Sequence, residues 1–416
     1  MDNEKLWMLG GAHPLPLLDR PFDKGWLSLL ASTASHALQP YLLVRLRHIG
    51  DCNSAQVIEQ SRGLDDRTFA ELQSMLAGGG VPPRSGCLHD PVGIHTVWIV
   101  DRTFNAFAVR LPAAYVIGIH IATPIILYRT FRELSKLPGF FPEIDGDIAR
   151  RYSEPLEFES FHPYELDSGW SVQEAMAWAL DIREGHTYSM KRLRLAEFLT
   201  HFGMQVMMAH EVGHVVSGHC DVLAAGGAGG WRESANNLTA LSALAEIDTV
   251  KLWEIEADIA CANILLGYLT LDTYRHKFGT YLSALGLACD LQTVTGLVYV
   301  TSRIVYMILG NLQPGPSAAA THPHFIGRSA ILEHMMDANL AAAGVAGADV
   351  RHRYVHHYRS SVEVALNAVP YASVVGREGI EAAVNEALAE AKSLSDALVA
   401  RRRRWREFSL VQQGLG

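Results

Sequence analysis

The sequence is short of the features that mark several broad classes of protein. Cysteine is scarce: Cys52, Cys87, Cys220, Cys261 and Cys289 form an odd, scattered set of 5 with no CxxC among them. Such a set argues against a secreted disulfide framework and for a reducing compartment, so a cytoplasmic location is expected. Positive charge is in deficit, with 35 Lys and Arg against 44 Asp and Glu and a formal net charge of -9. Phosphate binding needs a basic field, so nucleic acid is not expected as the main partner. The opening MDNEKLWMLG has acids, no basic stretch and no apolar run of signal-peptide length. Long hydrophobic runs are lacking as well. Residues 111–128 and 304–320 carry no Asp, Glu, Lys or Arg. The first is interrupted by Pro112, His120 and Pro124, and the second by Asn311, Gln313, Pro314, Gly315 and Pro316. A spanning helix wants roughly 20 mainly apolar residues, so both read as buried protein and membrane association is not expected. No internal repeat is present.

What the chain does have is core material. Its 416 residues are 49% hydrophobic and 19% charged, enough for a sizeable interior and for two or three domains. Residues 1–95 show short helical patterns at 26–46 and 67–76 and end in a loop of Gly78, Gly79, Gly80, Val81, Pro82 and Pro83. From His95 to Ile121 the texture turns β-branched and aromatic, which predicts two or three strands with turns near Asp101 and Pro112. Helices are then expected at 125–137, 171–182, 190–219, 240–266, 271–287 and 294–309. The segment 224–230 is Ala and Gly only and reads as a mobile loop. A polar helix over 379–408 ends in Arg401 to Arg404. Residues 1–95, 96–335 and 336–416 are therefore taken as an N-terminal helical region, a central domain and a C-terminal helical region.

The central region contains M-M-A-H-E-V-G-H-V-V-S-G-H. Residues four apart on a helix share a face, so His210 and His214 can reach one tetrahedral zinc ion. Glu211 would project beside the open coordination position, where it can take a proton from water. Phe202, Val206, Met207 and Met208 precede the motif and make its helix a buried, rigid element. Catalytic zinc needs a third protein ligand. His219 lies nine positions after His210 (219 − 210 = 9), Cys220 occupies the tenth position and Gly218 falls late. That spacing does not fit the metzincin pattern. Downstream, L-W-E-I-E-A-D-I-A places Glu254 and Asp258 on one helix face. Glu254 can then bind zinc while Asp258 orients a ligand His. Glu256 shares the segment, but apolar residues flank all three acids.

HEVGHVVSGH followed by EIEAD resembles the gluzincin metallopeptidases of the group that contains the CAAX prenyl protease and the heat-shock peptidase HtpX. The resemblance assigns the third ligand to Glu254 over Glu256. The gap from His214 to Glu254 is 40 residues (254 − 214 = 40), shorter than the group leads one to expect. Asn105-Ala106-Phe107-Ala108 is similar to the N-A-F edge strand of that group. There the Asn side chain and the Ala carbonyl hold the substrate backbone, which implies the same for Asn105 and Ala106. Thr321-His322-Pro323 with Arg328 is similar to the His-Pro and Arg element, in which the His steadies the oxyanion and the Arg supports the site. Position 324 is His where the group usually has a second Pro, which leaves both His322 and His324 as the donor, with His322 preferred.

The resemblance spans residues 96–335. It implies a mainly helical α+β fold, with a small antiparallel sheet packed on the HExxH helix and the Glu254 helix across a cleft. It further implies one Zn2+ ion, peptide-bond hydrolysis through zinc-bound water activated by Glu211, and a protein or peptide substrate. Access is expected to be gated by one of the flanking regions. The alternative is a zinc-containing regulatory or interaction protein with little turnover, against which the retained Glu211 argues. His352, His356 and His357 sit among Arg351, Arg353 and Arg359 and read as a solvated helix face. Arg401 to Arg404 read as the basic end of a helix, and Cys220 and Cys261 as small core residues.

Overall fold

A computed structural model describes residues 93–99, 102–111, 114–120, 122–145, 189–220, 231–232, 247–270, 272–310 and 325–342, with isolated positions at 166, 170, 174, 175, 178, 179, 358, 361, 362, 364, 365, 385 and 389. The helices expected before residue 93, the Ala-Gly segment 224–230, His352, His356, His357 and the Arg401 to Arg404 run lie outside these residues, as do His322 and His324.

The described part is mainly helical. Strands β1 (Gly93–Ile99), β2 (Ala106–Leu111) and β3 (Ala114–His120) occupy the β-branched stretch. Helix α1 (Ala122–Leu134) follows at once. The long helix α2 (Met190–Val216) comes next, then the two-residue strand β4 (Trp231–Arg232) and helix α3 (Ile247–Thr270). Helices α4 (Asp272–Leu285), α5 (Leu291–Gly310) and α6 (Phe325–Ala342) complete the set. β1 begins at Gly93, and α6 runs on through residue 335. None of the described helices is long and apolar enough to cross a membrane.

The sheet order is β1-β3-β2-β4. The expected small antiparallel sheet is present in β2, β3 and β4, with a parallel strand added to it. β2 and β3 form an antiparallel hairpin, but β1 lies parallel to β3, from Gly93↔Ala114 to Ile99↔His120. The reason is topological. β2 and β3 are joined by a turn too short for anything but a hairpin, and β2's other edge pairs with β4. β1 therefore takes the free side of β3, where its direction makes it parallel.

α2 is the axis of the molecule. At 27 residues it runs for about 40 Å. From Leu195 to Val215 nearly every side chain is buried, because α1, the sheet, α3, α4 and α5 all pack on it. A helix apolar on all sides belongs in an interior. Thr200, His201, Gln205, His210, Glu211 and His214 are nevertheless among its buried positions. Thr200 and Gln205 bond within the helix, to Ala196 O and His201 Nε2.

α3 crosses α2 at close range. A Cβ on Gly213 would stand 2.6 Å from the carbonyl oxygen of Ala257 and 3.0 Å from its Cα. Only glycine allows that approach. On α3 the spacing Glu254, Asp258, Cys261 turns two carboxylates and a thiol toward α2, and the Cys261 thiol donates to Val206 O at 3.5 Å. α5 and α6 are tied together by Arg303 on Glu333, at 2.5 and 2.9 Å, and by Tyr299 OH donating to Asp337 at 2.6 Å. That pairing sets where Tyr306 of α5 and Arg328 of α6 arrive.

Candidate metal centre

The i, i+4 spacing on α2 brings the rings of His210 and His214 to 4.7 Å between centroids, nearly perpendicular at 87°. Their Nε2 atoms are 3.0 Å apart. From α3, Glu254 sets Oε2 at 3.3 Å from His210 Nε2 and Oε1 at 3.6 Å from His214 Nε2. His210, His214 and Glu254 are buried and converge closely enough to hold one metal ion. Around a tetrahedral ion with bonds of about 2.0–2.1 Å, neighbouring donor atoms are about 3.3 Å apart. The three separations, 3.0, 3.3 and 3.6 Å, straddle that value. Two imidazole nitrogens and a carboxylate oxygen are also a donor set that catalytic zinc accepts, with one position left over.

The ring of His210 is fixed from behind. Asp258 Oδ1 lies 2.8 Å from His210 Nδ1. A carboxylate can only accept, so the proton sits on Nδ1 and the Nε2 lone pair is left facing the other donors. Burial works to raise the Asp258 pKa, yet the charges and hydrogen bonds of Arg328 and His210 outweigh it and hold the carboxyl below its ordinary value. Arg328 donates from Nε to Asp258 Oδ2 at 2.9 Å and from Nη2 to Oδ1 at 3.1 Å. The same Nη2 is 2.9 Å from Glu254 Oε2. It stands almost equally far from the two ring nitrogens of His210, at 3.1 and 3.3 Å, so it lies beside the ring and off the Nε2 lone-pair axis. Tyr306 completes the cluster. Its hydroxyl donates to Asp258 Oδ1 at 2.6 Å, and its ring lies 4.7 Å from the Arg328 guanidinium carbon. Burial and the negative charge of Asp258 push the Tyr306 pKa well up, so the phenol keeps its proton.

His214 is held differently. Its Nδ1 is 2.9 Å from His219 Nδ1, and His219 Nε2 is 3.1 Å from Glu256 Oε2. Burial pushes the His214 pKa well below the usual histidine range. The Glu254 charge opposes this, while His210, His219 and Arg328 add to it. The ring is thus neutral, the form that binds a metal.

The structure brings His210, His214, Glu254, Asp258 and Arg328 to one place. Glu211 is fully buried on α2 beside His210. Asn105 and Ala106 stand at the start of β2, both buried. The Asn105 amide donates to Thr123 Oγ1 at 3.1 Å, and its carbonyl accepts from His120 N at 3.1 Å and Thr123 Oγ1 at 2.9 Å. The Asn105 carbonyl thus faces β3, and by the alternation of a strand Ala106 presents its backbone to the opposite edge. Beyond it that edge is paired with β4, at Phe107↔Arg232 and Ala108↔Trp231. Tyr306, His219 and Glu256 are the partners that spacing on a single helix does not disclose. The one sequence signal among them is Gly218, which ends α2 just before His219.

Comparison of the chain with protein-family models, with curated proteins and with solved structures finds no match. The functional reading therefore stands on the geometry of the site and on the motif resemblance.

Proposed function

We propose that the chain is a zinc-dependent endopeptidase of the gluzincin kind. The observation that carries the reading is the convergence of His210, His214 and Glu254 on one point, with Glu211 buried on the same helix as the two histidines. Zinc held by those three residues would supply Lewis acidity, acidifying water and polarising the scissile carbonyl. Glu211 takes the proton of the attacking water and passes it to the leaving amine nitrogen. Asp258 holds the His210 ring, and Arg328 balances the paired carboxylates of Glu254 and Asp258. His322, just before α6, steadies the oxyanion in this reading, and the Ala106 carbonyl on the outer edge of β2 takes the peptide backbone together with the Asn105 side chain. The ligands are 0–2% exposed, which supports gated access by a part of the chain that moves aside. A cytoplasmic location belongs to the same proposal.

The burial also favours a second reading, a regulatory or interaction protein with a closed structural zinc. Structural sites are usually filled by four protein ligands. Among the described residues only three converge, which favours the peptidase. Glu211→Gln separates the two. The variant should bind one zinc per chain and lose casein-type hydrolysis by about 10²–10⁴-fold, the typical worth of a general base. A variant that cleaves as fast as wild type would remove Glu211 from the mechanism. A wild-type chain that binds zinc and cleaves nothing in a broad peptide library would favour the second reading. Partners trapped by the inactive variant would identify the substrate.

A further inference from the structure

We infer that His219 and Glu256 are positioning residues for His214, which fix its tautomer so that the Nε2 lone pair meets the other two donors and thereby set the affinity of the site. This rests on the metal reading of His210, His214 and Glu254, and it does not depend on peptidase activity.

The geometry starts at Gly218. α2 ends there, with Ser217 N donating to Gly213 O and Gly218 N to Val215 O, both at 3.0 Å. Gly218 has φ of 81°, a left-handed conformation that turns the chain sharply. On a continuing helix, a residue five positions after His214 would be rotated well away from its face. The turn instead folds His219 back beneath His214. Its ring is stacked on Trp253 at 5.1 Å between centroids and 16° between planes. His219 is 2% exposed and Trp253 2%, so the stacked pair is buried.

The protons follow from the far end. The Glu256 carboxylate accepts, so the hydrogen of His219 sits on Nε2. His219 Nδ1 is then the acceptor of the 2.9 Å contact, and the proton in it comes from His214 Nδ1. His214 is left with a bare Nε2, 3.0 Å from His210 Nε2 and facing Glu254. Asp258 does the same to His210 directly. Two nitrogen lone pairs and a carboxylate thus face one another, an arrangement that a cation stabilises. With the opposite tautomer, His214 would point an N–H into the ligand site and have no lone pair to offer. Partners that hold a ligand histidine from behind are typically worth about 10–100-fold in metal affinity.

The test uses the full-length chain, stripped of metal and titrated with Zn2+ against a chromophoric chelator, and with Co2+ read by its visible absorption bands. His219→Phe keeps a ring for Trp253 and removes the acceptor. It should weaken Zn2+ binding by about 10–100-fold and shift the cobalt bands. His219→Asn returns an acceptor oxygen near the Nδ1 position and should recover most of the loss. Wild-type affinity and an unchanged cobalt spectrum in His219→Phe would overturn the inference. Equal losses in the Phe and Asn variants would also overturn it, since packing would then be the cause. If His219→Phe does not fold, Glu256→Ala and Glu256→Gln decide: Ala should weaken binding and Gln should not, and equal affinities would overturn the inference. A wild-type chain that takes up no Zn2+ would instead sink the metal reading itself.

Discussion

His210 and His214 are one helical turn apart, and each is held from behind, but by opposite means. Behind His210 stands a buried charge cluster assembled from three helices: Asp258 of α3, Tyr306 of α5 and Arg328 of α6, all at most 3% exposed. Behind His214 stands a second imidazole, His219 from just past the end of α2, stacked on Trp253, and then Glu256, whose side chain is 15% exposed. The first arrangement ties the site to the tertiary fold. The second joins only the end of α2 to α3 and finishes at a partly exposed acid. Loss of a member should therefore be felt in different quantities on the two sides: fold stability behind His210, metal affinity behind His214.

The largest effect is expected from Asp258→Ala. It takes one of the two carboxylates from the buried Arg328 guanidinium, leaving Glu254, and removes the acceptor of the Tyr306 hydroxyl; breaking a buried pair from one side costs about 3–5 kcal/mol. Urea unfolding of the metal-free chain measures it. A loss below about 1 kcal/mol would mean that the cluster behaves like a surface pair and that the contrast fails. Gly213→Ala comes next. In an ordinary helix this exchange gains about 1 kcal/mol. Here the new methyl meets the Ala257 backbone, and overpacking should turn the gain into a loss of about 1–3 kcal/mol, with weaker Zn2+ binding as α3 is pushed away. A stabilised variant would show that the two helices separate freely. The smallest effect is expected from Glu256→Gln. The partly exposed acid is replaced by a side chain that still accepts, so unfolding should shift by less than about 0.5 kcal/mol. A larger shift would place Glu256 among the structural charges and erase the difference between the two sides.

The parts of the site legible in the sequence are those set by one helix at a time. His210 and His214 on α2, and Glu254 and Asp258 on α3, follow from i, i+4 spacing, and so does the burial of α2 from the apolar run before the motif. Arg328 is singled out only by a resemblance, which names no partner for it; the contact with Asp258 is legible in the structure alone. Tyr306 was not legible, because it sits in the apolar stretch of α5 and only the crossing of α3, α5 and α6 gives it an acid to bond. His219 was set aside by spacing as a ligand. It lies outside the ligand group, but its role behind His214 needed the turn at Gly218. The parallel β1–β3 pair was missed for a similar reason, since strand order depends on which edges remain free after the hairpin and β4 have formed.

The close crossing at Gly213 joins two stretches of chain whose ligands are 40 residues apart, from His214 to Glu254. An ion held at that crossing acts as a removable cross-link, closing a loop in the way a disulfide does but reversible by a chelator. Loop-closure entropy grows only slowly with length, by about 0.6 kcal/mol per doubling. A change in the length of the segment between the two helices therefore alters that closure term only slightly, because the clamp is set by the crossing and not by the chain that connects it.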